Sequence, residues 1–337
     1  SDSSAGPIAR DLENAARLAI ADLGGVSIDL RVYDTGGNGA TAATVAQRAV
    51  DEGAKIILGP LRAEVAVEAS KVVADEGINV LAFSNNPSIA GGNLFVLGPT
   101  FLNTADRLMA YGKRNGIDNV VVLHSSDVPG EFGKAAIQQS AGRNGVRIAS
   151  VQGYPLSIEG VTNVARGMGE VVSASGADSV FITTDATNAA MPLLLQTMPE
   201  NGVNPAQSQY LGRTRWDIAP QLFSFPGAEG AWFTLPNQSM QQNFSSRYSA
   251  AYGSEPHPLA GLAFDGIAAI GALIKQGRKD ALTGRALTQS AGFQGTGGVF
   301  RLKSDGTNER GLAIATVRNK QVVILDPAPS GFSGAGF

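Results

Sequence analysis

The segment that most constrains the fold covers residues 55–86, where two short apolar runs flank an amphipathic stretch. The first run, residues 55–58, ends at Gly59-Pro60, and the second run covers residues 79–83. Apolar residues recur at helical spacing between them, so the pattern predicts a strand, a helix and a parallel strand. Parallel strands end at the same edge of a sheet, and open α/β sheets bind ligands at that edge. The loops that follow the two runs are therefore the first candidate site.

The same alternation of helix and strand continues on both sides of this segment. Helices are predicted over residues 8–23 and 38–50, a strand over 27–33 lies between them, and a strand over 93–96 follows. A second series contains helices over 101–115, 132–144, 161–175 and 188–198 and strands over 119–124, 146–151, 179–183, 209–212 and 231–234. Two successive α/β series in a chain of 337 residues predict two similarly built lobes.

The first predicted helix has no strand before it in this sequence. A doubly wound sheet has a strand at that position, so we expect an apolar strand upstream of Ser1 and assign residues 1–6 to the loop that follows it. The alternative is that this helix only covers the end of the sheet. The opening SDSSAGP is typical of a mature or trimmed chain.

The C-terminal part of the chain has a different pattern. Two amphipathic helices are predicted over residues 239–252 and 259–275. The segments 298–302, 313–317 and 321–325 then alternate like antiparallel strands, joined by the turns SDGTNERG and RNK. The acidic positions of the first turn do not match the spacing of an EF-hand calcium loop, so a hairpin turn is expected there.

The composition excludes several functional classes. The chain has no cysteine, which excludes disulfides, thiolate metal ligands and thiol nucleophiles. The net charge is −3 and the basic residues are scattered, so nucleic acid is not an expected partner. No apolar run approaches the roughly 20 residues that span a bilayer, so no transmembrane segment is predicted.

The sequence contains no recognisable catalytic or cofactor motif. His124 precedes Ser-Ser-Asp at residues 125–127, but there is no GxSxG motif, and consecutive residues do not place a catalytic triad. His257 is distant in sequence from His124, so no metal site is predicted. The glycines within 36–39 follow a second strand rather than a first, which argues against a dinucleotide site. We expect no enzyme activity, no cofactor and no metal.

Five segments are informative together with the order of elements: GPIARDLENAARLAIADL, LRVYDTGGN, AQRAVDEGAKIILGPL, ASKVVADEGINVLAFSNN and GGVFRLKSDGTNERGLAIATV. They resemble the type I periplasmic binding protein fold, in particular the leucine/isoleucine/valine-binding branch of ABC transporter solute-binding proteins, and the resemblance covers nearly the whole chain. It implies two doubly wound α/β lobes joined by three crossovers, near Pro99, Leu235-Pro236 and Leu302, with a hairpin-rich tail. Lobe one is then expected to contain residues 1–99 and 236–301, and lobe two residues 100–235 and 302–337.

The resemblance also implies a function. Members of this family trap a small molecule in the cleft between the lobes, close by a hinge, and present the closed form to a membrane permease. We therefore expect a periplasmic solute-binding protein that is not an enzyme. Lipid anchoring through a segment upstream of Ser1 stays an open alternative.

The family's ligand contacts are carried over position by position. The hydroxyl that holds a substrate carboxylate falls near Ala63, between Arg62 and Glu64, and the acidic residue for the ammonium group falls at Thr214. The implied ligand is therefore small and polar or anionic rather than a plain branched-chain amino acid. The candidate ligand-binding residues are Arg62, Ala63, Glu64, Ser84, Asn85, Asn86, Ser125, Ser126, Asp127, Asp185, Arg213, Thr214, Arg215 and Asp265.

Several of these residues have a structural alternative. Arg213, Arg215 and Arg62 form an anion clamp in one interpretation, and pair with surface acids such as Glu64 and Asp217 in the other. The polar residues 84–86 contact the ligand or cap the turn before Pro87. A carboxylate on an apolar helix, such as Asp265, either lines the cleft or bonds a neighbouring strand.

The tail over residues 291–317 is also similar to lipoproteins of the same fold that activate penicillin-binding proteins, the synthases of peptidoglycan. That second resemblance implies a protein that docks on a peptidoglycan synthase and transports no solute.

Overall fold

The computed structural model describes residues 6–332, and these residues divide into two units. Unit 1 contains residues 6–100, 237–311 and 329–332, and unit 2 contains residues 101–236 and 312–328. The strand predicted upstream of Ser1, and the following loop up to Ala5, lie outside the described residues. Within residues 6–332, every helix is too short or too polar to span a membrane.

In unit 1 the first part of the chain forms a parallel sheet between two layers of helices. Its elements are α1 (Gly6–Ala21), α2 (Gly39–Asp51), β1 (Ile57–Leu58), α3 (Ala63–Val73), β2 (Val80–Ala82) and β3 (Leu94–Val96). The strand order is β1-β2-β3, and both pairs are parallel. Leu81 faces a core that includes α1, whereas Val80 and Ala82 face a core built with α2 and α3. The prediction of strand, helix and parallel strand within residues 55–86 is confirmed.

The prediction of a strand over residues 27–33 is wrong. Its alternation does identify the inward side chains, since Ile28 and Leu30 pack against the core beside α1 while Val32 is 58% exposed. No described residue forms a main-chain hydrogen bond with the backbone of 27–33, however, and the segment belongs to no sheet. Side-chain periodicity indicates which face is buried, but a strand also requires a hydrogen-bonded neighbour.

This difference predicts a local contrast in hydrogen exchange. We expect the amides of residues 28–33 to exchange close to their intrinsic rates, because they lack the hydrogen bonds of a sheet ladder. The amides of Val80, Leu81 and Ala82 serve as the internal control and should be strongly protected. Exchange followed by NMR or mass spectrometry tests this, and equal protection of the two segments would contradict it.

The second α/β series forms unit 2 around a larger sheet. Its elements are α4 (Phe101–Arg114), β4 (Asn119–Ser125), α5 (Val128–Asn144), β5 (Arg147–Tyr154), α6 (Ile158–Ser175), β6 (Ser179–Ile182), α7 (Ala190–Glu200), β7 (Gln209–Gly212) and β8 (Trp232–Leu235). The strands are parallel in the order β8-β7-β6-β4-β5. In β4, Val121 and Leu123 face one core, and Val120 and Val122 face the other. Every predicted element of this series is present, because continuous apolar runs mark strands covered on both faces.

The last part of the chain contributes to both units. Its elements are α8 (Gln238–Tyr252), α9 (Ala260–Lys275), α10 (Gly284–Leu287), β9 (Phe293–Gly295), β10 (Gly298–Leu302), β11 (Asn308–Arg310), β12 (Ala313–Arg318) and β13 (Gln321–Asp326). In unit 1, β11-β10-β9 form an antiparallel sheet, and in unit 2, β12 pairs antiparallel with β8 and β13. Asn319 and Lys320 have φ values of 51° and 60°, which the favoured two-residue hairpin turn requires, so the predicted RNK turn is confirmed.

The prediction that residues 304–311 join strands 298–302 and 313–317 in one hairpin is wrong. β10 pairs with β11 instead, and the Lys303 N–H donates to the Thr307 carbonyl to close a shorter turn. An alternating pattern marks a strand without choosing its partner. Because β11 stays with β10, the chain passes from unit 1 to unit 2 after Gly311, and its other passages between the units follow Thr100, Pro236 and Ala328.

Candidate functional site

In unit 1 the loops that follow β1, β2 and β3 lie side by side. The Phe83 N–H donates to the Pro60 carbonyl at 2.9 Å, and the Gly98 N–H donates to the Ser84 carbonyl at 3.0 Å. A Cβ at position 98 would lie 2.4 Å from the Ser84 oxygen, so the approach of these two backbones requires glycine. Parallel strand ends are thus held together at one edge of the unit 1 sheet, as the sequence pattern predicts.

Ser84 and Asn86 make the hydrogen bonds of a capped turn. The buried Ser84 Oγ accepts the Asn86 N–H at 3.1 Å, and Asn86 Oδ1 accepts the Ser88 N–H at 3.0 Å. These contacts fit the turn-capping alternative, and Asn85 between them is exposed. A ligand contact by any of the three residues stays a prediction.

The loop after β1 leads directly into α3. Ala63 is the first residue of this helix, and its neighbours Arg62 and Glu64 are exposed. Arg62 lies over the turn at Gly37, where a Cβ would be 3.4 Å from its Nη1 atom. The structure therefore places these three candidates on the surface at the N-terminus of α3.

Asp265 has a structural contact within unit 1. Its side chain is 1% exposed, its Oδ1 accepts the Thr296 N–H at 2.6 Å, and its Oδ2 lies 3.3 Å from Nη1 of Arg310. Arg310 also donates to the carbonyl of Leu97, the residue after β3. Asp265 thus ties α9 to Thr296, the residue after β9, and to β11. Both carboxylate oxygens are already used, and a ligand contact stays a prediction.

In unit 2 the carboxyl ends of β7, β6, β4 and β5 form a continuous polar edge. The Arg213 N–H donates to the Ile182 carbonyl at 3.1 Å, and the Ser126 N–H donates to the Tyr154 carbonyl at 2.8 Å. Five of the sequence candidates have local partners here. Asp127 accepts hydrogen bonds from the Ser125 hydroxyl and the Gly130 N–H. Asp185 accepts a hydrogen bond from the Thr187 N–H, and the Thr214 hydroxyl accepts one from the Ala186 N–H. Arg215 donates to both carboxylate oxygens of Asp217.

Arg213 differs from the other candidates because it is buried beside neutral groups. It is 5% exposed, its Nε donates to the Thr183 carbonyl at 2.6 Å, and its Nη1 lies 3.4 Å from the Pro129 carbonyl. The guanidinium carbon stands 3.7 Å from the centre of the Phe101 ring. Burial lowers the pKa of Arg213 to about 10, against an opposing effect of Asp185 and Asp127. The side chain is therefore still charged at neutral pH.

The residues around His124 do not form a catalytic triad. Ser125 Oγ donates to Asp127 rather than to the imidazole, whose Nδ1 lies 3.2 Å from Glu131 and 3.1 Å from the Ser125 carbonyl. Within residues 6–332 no cluster of three acidic or histidine side chains is arranged to hold a metal ion.

Sequence reasoning missed two residues at this edge. Tyr154 is buried at the end of β5, where its hydroxyl hydrogen-bonds Thr184, and Phe101 supplies the ring beside Arg213. The predicted strand ended at Val151, and extending it to the end of β4 would have placed Tyr154 opposite Ser125. A cavity of about 440 Å³ opens beside Tyr154, lined by the turn from β5 to α6.

Comparisons with known proteins agree with this architecture. A family model described as "Periplasmic binding protein" matches residues 1–321. A structure from Rhodospirillum rubrum, described as a putative branched-chain amino acid ABC transporter, aligns with a TM-score of 0.79 and 17% identity over 96% of each chain. A substrate-binding protein from Desulfitobacterium hafniense aligns with a TM-score of 0.68 and 19% identity, over 94% of this chain and 95% of that chain.

A third structure is a solute-binding protein from R. palustris in complex with benzoate, with a TM-score of 0.58 and 14% identity over 98% of this chain and 94% of that chain. At these identities the similarity establishes the fold. A comparison with curated proteins gives no match. Neither the family model nor these structures supports the resemblance to activators of penicillin-binding proteins.

Proposed function

The chain belongs to the periplasmic binding protein family, and from that premise we propose that it binds a small polar or anionic solute for the permease of an ABC transporter. The match of the family model to residues 1–321 is the observation that carries this proposal. The edge of each sheet supports it, since both units end their parallel strands in polar loops, where open α/β sheets bind ligands.

The proposed solute is not a plain branched-chain amino acid. Position 63 carries alanine, which has no hydroxyl for a substrate carboxylate, and position 214 carries threonine, which has no charge for an ammonium group. Solved structures of the same fold are described in complex with leucine and with benzoate, so one fold accommodates chemically different solutes. Side chains at the strand ends, rather than the fold, must decide which solute this chain selects.

A ligand panel tests the proposal. The protein is first unfolded and refolded to remove any solute that copurifies, and its melting temperature is then measured with amino acids, amides, carboxylates and sugars. One chemical class should raise the melting temperature, because a ligand at 100 times its Kd stabilises the folded form by about 2.7 kcal/mol. Calorimetric titration of the strongest compound should give a single site.

The control is a set of isomers and neutral analogues of the strongest compound, which should shift the melting temperature less. If no compound in the panel changes the melting temperature of the refolded protein, the proposal of solute binding is contradicted.

A further inference from the structure

Unit 2 contains two buried arginines, and only one of them has a carboxylate partner among the described residues. Arg107 donates to Asp326 at 2.9 Å and to the Leu312 carbonyl at 2.7 Å. Arg213 forms no ion pair within residues 6–332, and its neighbours are two carbonyl oxygens and the Phe101 ring. Charges inside proteins are normally paired, because an isolated charge loses its hydration without compensation.

The acidic residues nearest to Arg213 are already used elsewhere. Asp127 caps α5 by accepting the Gly130 N–H, and it also accepts the Ser125 hydroxyl. Asp185 accepts the N–H and the hydroxyl of Thr187. Both carboxylates affect the charge of Arg213 through space, yet neither comes within ion-pair distance. Arg213 therefore has no ion-pair partner within residues 6–332, and its guanidinium can contact an external anion.

One donor of the guanidinium has no partner in the protein. Nη2 forms no hydrogen bond with the described residues, and it is not fully buried. The Arg213 guanidinium is held in place, because its Nε donates to the Thr183 carbonyl and the group lies against the Phe101 ring. A fixed guanidinium with an open edge is suited to a carboxylate.

The other two arginines of the predicted anion clamp are less suited to this role. Arg215 is already engaged by both oxygens of Asp217, and Arg62 is exposed at the start of α3, where water screens its charge. The structure thus separates three arginines that the sequence alone does not distinguish.

We propose that Arg213 binds the negative charge of the solute, which is an organic carboxylate. This inference rests on the proposed function in solute binding. A carboxylate is favoured over a phosphate ester, because Asp127 and Asp185 act on this site and repel a dianion more strongly than a monoanion.

The test compares acids with their neutral amides. Benzoate and benzamide, leucine and leucinamide, and 3,4-dihydroxybenzoate and its amide are titrated calorimetrically into refolded wild-type protein, with phenyl phosphate as a further arm. We expect a carboxylate to bind at least 30-fold more tightly than its amide and than phenyl phosphate. The variant Arg213→Gln should weaken the carboxylate at least 30-fold and leave the amide within threefold.

Thr316→Val is the matched control. The Thr316 hydroxyl in β12 is buried without a hydrogen-bond partner among the described residues, and Thr316 makes no contact with Arg213, so its removal leaves the charge of the site unchanged. This variant should keep the wild-type affinity for the carboxylate. If Arg213→Gln does not fold, Arg213→Met serves in its place.

The melting temperature of the ligand-free variant distinguishes a binding role of Arg213 from a structural role. Removal of an uncompensated buried charge should leave the melting temperature of the ligand-free protein unchanged or higher, whereas loss of a structural ion pair would lower it. The inference is overturned if acid and amide bind equally, if phenyl phosphate binds best, or if Arg213→Gln binds the carboxylate within threefold of wild type. Those outcomes leave solute binding intact, whereas absence of binding by the wild type overturns both.

Discussion

The variant Arg310→Met should lose about 3–5 kcal/mol of unfolding free energy. The substitution leaves the Asp265 carboxylate 1% exposed without its counter-charge at 3.3 Å. It also removes the donor to the Leu97 carbonyl and the contact of the guanidinium with the Phe300 ring. Urea denaturation, monitored by circular dichroism, measures this loss of unfolding free energy.

The double variant Asp265→Leu with Arg310→Met is the control for this prediction. Removal of both charges eliminates the uncompensated carboxylate, so the double variant should be more stable than Arg310→Met alone. The prediction is contradicted if the single variant unfolds within 1 kcal/mol of wild type, or if the double variant is the less stable of the two.

The variant Trp216→Ala should also lose about 3–5 kcal/mol. Trp216 is fully buried in the loop that follows β7, and its ring stacks on Phe233 with centroids 5.9 Å apart and an interplanar angle of 15°. The ring lies so close to the strand end that a Cβ at Gly212 would be 2.4 Å from the Nε1 atom. The alanine side chain leaves a cavity at the base of the loop that carries Arg213. Thermal and urea unfolding report the loss.

Trp216→Phe is the matched control and should cost less than about 1.5 kcal/mol. Phenylalanine keeps an aromatic ring against Phe233, and no hydrogen bond is lost, because Nε1 has no partner among the described residues. An equal loss in the phenylalanine and alanine variants would show that packing against Phe233 does not stabilise this loop.

Much of the fold is predictable because the relevant signals are local. The apolar runs that become β4 and β6 are covered on both faces, so they stand out from the amphipathic helices on either side of them. Chain order then places their carboxyl ends at one edge, and the hydrogen bond from Thr183 to the Leu123 carbonyl has that geometry. The two α/β series follow from the same reasoning.

The errors in the sequence-based prediction concern which segments pair with each other as hydrogen-bonded strands. Residues 27–33 have the side-chain pattern of a strand but no hydrogen-bonded neighbour among the described residues. β10 has two antiparallel neighbours, β9 and β11, neither of which was predicted as a strand. Short strands of three residues carry too little periodicity to be recognised, and their stability comes from contacts made in the folded chain.

At the candidate site, too, the sequence predicted some neighbouring residues and missed others. Chain order brought Arg213, Asp127 and Asp185 to one edge of unit 2, as expected for loops after parallel strands. The ring of Phe101 beside Arg213 was not foreseen, because the two residues are far apart in sequence and belong to different elements.

The amino-acid sequence by itself determined the alternation of helices and strands, the buried faces and the edge at which the strands end, since each depends on neighbours along the chain. Only the tertiary structure decided which charges are neutralised. Arg107 finds Asp326 across 219 residues of sequence, while Arg213 meets neutral groups, and no local pattern records that difference. Electrostatic pairing depends on distances in space, and folding sets those distances.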